Sequence, residues 1–217
     1  MSERYQGSIV IANPTNPTTS AAPGIWTLNQ ASYWIKQGLW PSPAVADPYF
    51  YDVTLLLSGD GTNGGQNNTF LDSSTNNFTI TRNGNTTQGS FSPYGNLWSN
   101  YFDGSSYLSC SATLPAATTY TVEAWVFPTT SYSTYRTIFS QATSGNANRF
   151  DMYLDITTGA LRIQIGATNI NTSTNIALNT WSHVAFVNNA GSYAVYVNGT
   201  SVATGSNSTT IQNTTAA

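Results

Sequence analysis

From residue 48 onward the chain is patterned for strands. Its apolar residues come in short alternating or β-branched runs, each stopped by residues that favour turns. Residues 53–57 form an apolar run closed by Ser58-Gly59-Asp60-Gly61-Thr62-Asn63-Gly64-Gly65, and Phe78-Thr79-Ile80-Thr81-Arg82 alternates before Asn83-Gly84-Asn85. Residues 120–127 alternate and stop at Pro128. Two hairpins are explicit. Residues 150–155 turn through Thr157-Thr158-Gly159 into 160–165, and 181–187 turn through Asn188-Asn189-Ala190-Gly191 into 192–197; Asn198-Gly199 then makes a further tight turn into 200–203. Many short strands with regularly spaced turns predict an all-β, antiparallel two-sheet sandwich.

Charge narrows the function. Six Lys+Arg stand against nine Asp+Glu, a net charge of −3, and charged residues are only 7% of the 217-residue chain, against about 25% in an ordinary domain. Such a surface lacks the clustered cations that grip a phosphate backbone, so no nucleic-acid partner is expected. No stretch approaches the ~20 apolar residues of a membrane span, so no membrane insertion is expected either. Met1-Ser2-Glu3-Arg4-Tyr5 lacks the basic start of a secretory signal. The single Cys110 cannot make an internal disulfide and reads as a small buried hydrophobe.

Residues 1–47 are different in kind. Asn13-Pro14-Thr15-Asn16-Pro17-Thr18-Thr19-Ser20-Ala21-Ala22-Pro23-Gly24 reads as an extended linker. Beyond it, Thr27 is placed to cap a short helix with apolar positions Ala31, Trp34 and Ile35, stopped by Gly38 and Pro41. Trp26, Trp34 and Trp40 within fifteen residues need a surface to bury them. We therefore expect an N-terminal arm over 1–47 that docks through Trp26, Leu28, Trp34, Ile35 and Trp40, followed by a sandwich over 48–217.

Four motifs then appear in order: Tyr101-Phe102-Asp103-Gly104-Ser105-Ser106-Tyr107-Leu108, Tyr120-Thr121-Val122-Glu123-Ala124-Trp125-Val126, Trp181-Ser182-His183-Val184-Ala185 and Tyr196-Val197-Asn198-Gly199. They resemble the motifs of the laminin G-like, concanavalin A-like jelly roll, and the resemblance runs from about residue 50 to the end. Members of that family continue past the Y-V-N-G hairpin with further strands, whereas this sequence stops at Ala217; the expectation is a natural product longer than the present chain, with strands supplied by a neighbouring subunit as the alternative. A second resemblance covers the front half. Pro23-Gly24-Ile25-Trp26-Thr27-Leu28, Trp40-Pro41 and Leu55 followed by Leu56-Leu57-Ser58-Gly59-Asp60-Gly61-Thr62-Asn63-Gly64 are similar to tailed-bacteriophage virion proteins. That resemblance implies a tail, fibre or capsid-surface protein located on the virion, with other virion proteins as partners and a trimeric assembly.

The fold resemblance also implies calcium at one rim, with Asp60, Asp72 and Asp103 in turn-rich segments as candidate ligands; no other cofactor is expected. Glycan binding calls for aromatic platforms beside amides, and Trp98, Tyr132, Tyr135, Asn146 and Asn148 sit in expected loops with that chemistry. Enzymatic activity is not expected. Glycosidases need two carboxylates ~5–9.5 Å apart, yet Glu123 has no acidic neighbour at i±2 or i±4. Asp151 and Asp155, on one strand, would lie about 13 Å apart. His183, the only histidine, sits in an alternating strand as a packed or hydrogen-bonded imidazole. The expected role is a non-enzymatic virion protein displaying a lectin-like sandwich to host-surface glycan. Its alternative is a capsid decoration or tail-assembly protein without a receptor.

Overall fold

The computed structural model describes residues 16–17, 28–37, 49–59, 70–89, 91–93, 98–110, 116–131, 133–141 and 148–211. The chain divides into two compact units, Met1–Phe50 and Tyr51–Ala217. The first contains the expected short helix, α1 (Leu28–Lys36). Lys36 lies in its last turn, where a cation complements the helix dipole, and the Gln37 amide donates to the Tyr33 carbonyl at 3.2 Å. Tyr33 and Trp34 meet edge to face, with ring centroids 5.1 Å apart. Trp26, Trp40, Thr27, Gly38 and Pro41 lie outside the described residues, as do the side chains of Leu28, Ala31 and Ile35.

The second unit is all β. Its strands are β1 (Ile80–Asn83), β2 (Thr87–Gly89), β3 (Ser99–Tyr101), β4 (Tyr107–Cys110), β5 (Tyr120–Val126) and β6 (Arg136–Gln141), followed by β7 (Phe150–Leu154), β8 (Ala160–Ile165), β9 (Thr168–Asn175), β10 (Ser182–Asn189), β11 (Ser192–Val197) and β12 (Thr200–Ser206). Two four-stranded sheets, ordered β12-β11-β10-β5 and β6-β7-β8-β9, form the sandwich, and β1–β4 and β2–β3 form two further pairs. Every one of these pairings is antiparallel.

Alternation decides which face each strand buries. Phe150, Met152 and Leu154 on β7 and Leu161, Ile163 and Ile165 on β8 are all at most 2% exposed, and they close on Val184, Phe186, Val195 and Val197 of the opposite sheet. Aromatic rings link the two layers: Phe150 lies 5.3 Å from Phe186 and 5.8 Å from Tyr120. Burying each such side chain contributes roughly 1.5–3 kcal/mol. On β6 the register shifts between Thr137 and Phe139. This bulge lets consecutive residues, Ile138 and Phe139, both pack on the core and returns Ser140 to the outer face.

The turns follow the sequence with one adjustment. Ala190 and Gly191 join β10 to β11 and Asn198 and Gly199 join β11 to β12, all four at positive φ as tight hairpins require. Asn188 and Asn189, expected in the first turn, extend β10 instead. Asn188, 1% exposed, is paired at both ends of its amide: Nδ2 donates to the Asn207 carbonyl, and Oδ1 accepts from the Gly191 amide.

Residues 53–57 make no named strand; a buried carboxylate holds them. Asp72, 4% exposed, accepts from the amides of Leu56, Ser74 and Phe78, each at 2.9 Å, and its Oδ2 lies 2.8 Å from the Ser74 hydroxyl. Burial alone would raise the Asp72 pKa, but these donors outweigh it and the net shift is downward. A depressed folded pKa means stabilisation that is present above the unfolded value and is lost as pH falls through the folded one. Asp72→Ala is expected to lower stability by about 2–4 kcal/mol and to flatten the acid limb of the stability profile. Urea unfolding of both proteins between neutral and acid pH checks this; an unchanged acid limb would contradict it.

Candidate glycan-binding face

Residues that alternate with the core of β6–β9 point outward and are polar or aromatic. The register places them in two rows across four strands. One row runs Thr137, Tyr153, Arg162, Asn171; the other runs Ser140, Asp151, Gln164, Asn169. Thr137, Ser140, Asn169 and Asn171 are exposed, and Tyr153, Arg162 and Gln164 are half-buried.

The charges on this face are tied down. Asp151, its side chain 4% exposed, pairs with the Arg149 guanidinium and accepts from the Ser140 hydroxyl at 2.5 Å. The Arg162 Nε lies 3.4 Å from Asp155 Oδ2, and its terminal nitrogen donates to the Thr172 carbonyl at 3.2 Å. Asp155 also shapes the β7–β8 turn, accepting from the amides of Thr157 and Thr158 at 3.0 Å. The Thr158 and then the Thr157 amide lead the causes that hold its carboxyl below the usual range. Tyr135, 62% exposed, packs edge-on against Tyr153 with centroids 5.3 Å apart. Burial, and next the Tyr135 phenol, raise the Tyr153 pKa, so its hydroxyl remains a donor at neutral pH. The result is a tyrosine ring flanked by fixed donors and acceptors, which is the chemistry that recognises sugar rings and their hydroxyls.

Of the residues singled out from the sequence for glycan contact, Tyr135 stands on this face. Asn148 precedes Arg149 at the start of β7, and Trp98 adjoins β3 in a separate strand pair. Tyr132 and Asn146 lie outside the described residues. Tyr153, Arg149, Asp151, Arg162, Gln164, Asn169 and Asn171 were missed. For Asp151, Tyr153, Arg162 and Gln164 the signal was available, since they hold alternate positions in the hairpin expected over 150–165; Arg149, Asn169 and Asn171 lie outside the segments expected to be strands.

The calcium candidates have local work. Asp72 is committed to its loop, as described. Asp103 Oδ1 accepts from the Ser105 amide and hydroxyl at 2.9 Å and from the Ser106 hydroxyl at 2.7 Å. The Ser106 hydroxyl first, then the Ser105 groups, bring its pKa to about 2. Ser106 Oγ in turn accepts from the Asn85 amide at 2.8 Å. It packs so near Gly84 (φ 81°) that a Cβ there would lie 2.6 Å away, so this turn requires glycine. Asp60 lies outside the described residues, and among the described residues no three acidic, His or Cys side chains are grouped to hold a metal. On the opposite sheet, His183 Nε2 lies 3.4 Å from Glu123 Oε2, and its ring is 5.3 Å from that of Trp125.

The comparisons agree with this architecture. Residues 102–217 match the concanavalin A-like lectin/glucanases superfamily. The chain belongs to that superfamily, as a laminin G-like, concanavalin A-like jelly roll. Among solved structures it is similar to domain 4 of AbnA, a GH43 extracellular arabinanase from Geobacillus stearothermophilus in complex with arabinotriose. That match has 24% identity and a TM-score of 0.50, over 70% of this chain and 76% of that one. It is also similar to carbohydrate-binding module CBM66 from Bacillus subtilis (16% identity, TM-score 0.37, 52% of this chain and 73% of that one). A Bacteroides ovatus ATCC 8483 protein assigned to carbohydrate binding matches with 20% identity and a TM-score of 0.38 over 45% of this chain, which spans 28% of that protein's length. A search of curated proteins finds no significant relative.

Asp151 is the structural keystone of the face. Asp151→Ala is expected to cost about 1 kcal/mol by removing the ion pair with the part-exposed Arg149 and the bond from Ser140, and Asp151→Asn less. Urea denaturation ranks the two, and equal stability of Asp151→Ala and the parent would contradict the assignment.

Proposed function

We propose that the sandwich is a non-catalytic glycan-binding module whose site is the outer face of β6–β9. The observation that carries this reading is the pair of cross-strand rows centred on Tyr153, in which an aromatic ring is surrounded by pre-positioned polar groups. The likeness to an arabinanase domain crystallised with arabinotriose supports it. The carboxylates near this face, Asp151 and Asp155, are each paired with an arginine. Glycoside hydrolysis needs one carboxyl free to donate a proton and another free to attack or activate water. Binding without cleavage is the chemistry that suits such a face.

The test is a glycan array with the full chain, followed by titration of the best ligand. Tyr153→Ala is expected to weaken that ligand at least tenfold, roughly 1.4 kcal/mol, while Trp125→Ala on the opposite sheet leaves it unchanged. An array without a hit, or a loss confined to Trp125→Ala, would remove the assignment.

The module's carrier is, in our reading, a tailed-bacteriophage virion, with residues 1–47 docking to other virion proteins and the sandwich meeting host-surface glycan. Support comes from the front-half motifs around Trp26 and Trp40 and from the charge-poor composition. On this reading Trp34→Ala combined with Trp40→Ala abolishes incorporation into particles while the chain still folds. Normal incorporation of the double variant, measured by mass spectrometry of purified particles, would exclude arm-mediated docking.

A further inference from the structure

We infer that the face takes an extended, uncharged glycan laid across the strands and spanning about three sugar units. This rests on the glycan-binding reading and specifies its ligand. The first argument is spacing. Neighbouring strands lie 4.7–4.9 Å apart, so the row from Thr137 through Tyr153 and Arg162 to Asn171 covers roughly 14 Å. Each step along it is about the length of one sugar ring in an extended chain. The second row, through Ser140, Asp151, Gln164 and Asn169, lies two residues further along the strands, roughly 7 Å away. The band between the rows has the width of a sugar ring with its hydroxyls.

The second argument is charge. The sandwich unit carries four cations, Arg82, Arg136, Arg149 and Arg162, against Asp52, Asp60, Asp72, Asp103, Glu123, Asp151 and Asp155. On the face, Arg149 is neutralised by Asp151 and Arg162 by Asp155. Elsewhere, Arg82 Nε donates to the Thr86 carbonyl, and Arg136 donates to Thr130 Oγ1 and the Ser131 carbonyl. A carboxylated or sulfated sugar would have to displace an aspartate from its arginine, on a unit already carrying excess negative charge. A neutral sugar meets only dipoles and paired ions.

The third argument is the order of residues along the row. The aromatic platform, Tyr153 with Tyr135 beside it, is near the centre, and Asn171 stands on the outermost strand of the sheet. A single sugar stacks on Tyr153; further units extend toward Asn171 and Thr137 and gain hydrogen bonds.

Calorimetric titration of the full chain with arabinose and its oligomers of two to five units, with glucose and the matching cello-oligosaccharides, and with oligogalacturonates, each at low and high salt, tests this. In the series that binds, affinity is expected to rise several-fold per unit up to three and then level off, changing by less than about twofold between low and high salt. Asn171→Ala is expected to weaken the trisaccharide about fivefold and leave the monosaccharide unchanged; Asn169→Ala provides a second exposed position. Equal affinity for one unit and three would overturn the extended site while leaving glycan binding in place. Tighter, steeply salt-dependent binding of oligogalacturonates would overturn the uncharged ligand. Silence from both neutral series together with an empty array would overturn the glycan-binding reading itself, and this inference with it.

Discussion

The closure of the β6–β9 sheet onto β5, β10, β11 and β12 through Phe150, Phe186 and their neighbours governs everything else in the sandwich. In a strand, burying one residue exposes the next. A slip of one residue in β7 would place Asp151 and Tyr153 in the core and expel Phe150, Met152 and Leu154. The cost of that exchange, several buried apolar side chains at about 2 kcal/mol each and a desolvated carboxylate besides, pins the register. The outer rows inherit that precision, and only their ion pairs, Asp151 with Arg149 and Arg162 with Asp155, add local stabilisation of their own. The geometry of the candidate site is therefore a by-product of the core, and the side chains displayed there are free to vary in chemistry.

Scarcity of charge explains the second feature of the structure, the way it uses carboxylates. A chain with nine acidic residues spends three of them, Asp72, Asp103 and Asp155, on accepting backbone amides in loops and turns. Segments rich in Ser, Thr and Asn have little apolar surface with which to lock a conformation. A carboxylate that accepts two or three amides supplies the missing order, since charge-assisted bonds are about twice as strong as neutral ones. Asp72 shows the property most fully, with donors from its own loop on both carboxylate oxygens.

Much of this was legible from residue order. Alternation in 120–127, 150–155, 160–165 and 192–197 identified strands, and the turn residues Gly159, Gly191 and Gly199 marked where the chain reverses. Strands β6 and β9 were not read from the sequence, and three further features were not legible, for physical reasons. Residues 53–57 have the composition of a strand, but they are held by the 72–76 loop, through the Asp72 carboxylate and the Ser73 amide on Leu56 and the Ser74 and Asn76 side chains on Thr54, and no local pattern encodes it. Asn188 reads as a turn residue because Asn usually is one. It is buried because Asn207, distant in sequence, offers a carbonyl at the right height. The β6 bulge turns Ile138 and Phe139 to one side, breaking the alternation that would have assigned Ser140 to the outer face.

The candidate site escaped sequence reasoning for a related cause. Aromatic and amide residues in turns read as available to a ligand, whereas residues such as Tyr153 and Arg162 lie within strands and read as cover for a sheet. What makes them a site is their lateral neighbours. Tyr153 stands beside Thr137 and Arg162 only through pairing with β6 and β8, and Asn171 completes the row only because β9 folds back along β8. Separations of nine to sixteen residues in sequence become steps of about 4.8 Å in space. A linear motif search treats such positions as unrelated. Pairing the expected hairpin over 150–165 brings together Asp151, Tyr153, Arg162 and Gln164; the rest of both rows comes from β6 and β9, which the sequence did not mark as strands, so the face is complete only in the fold.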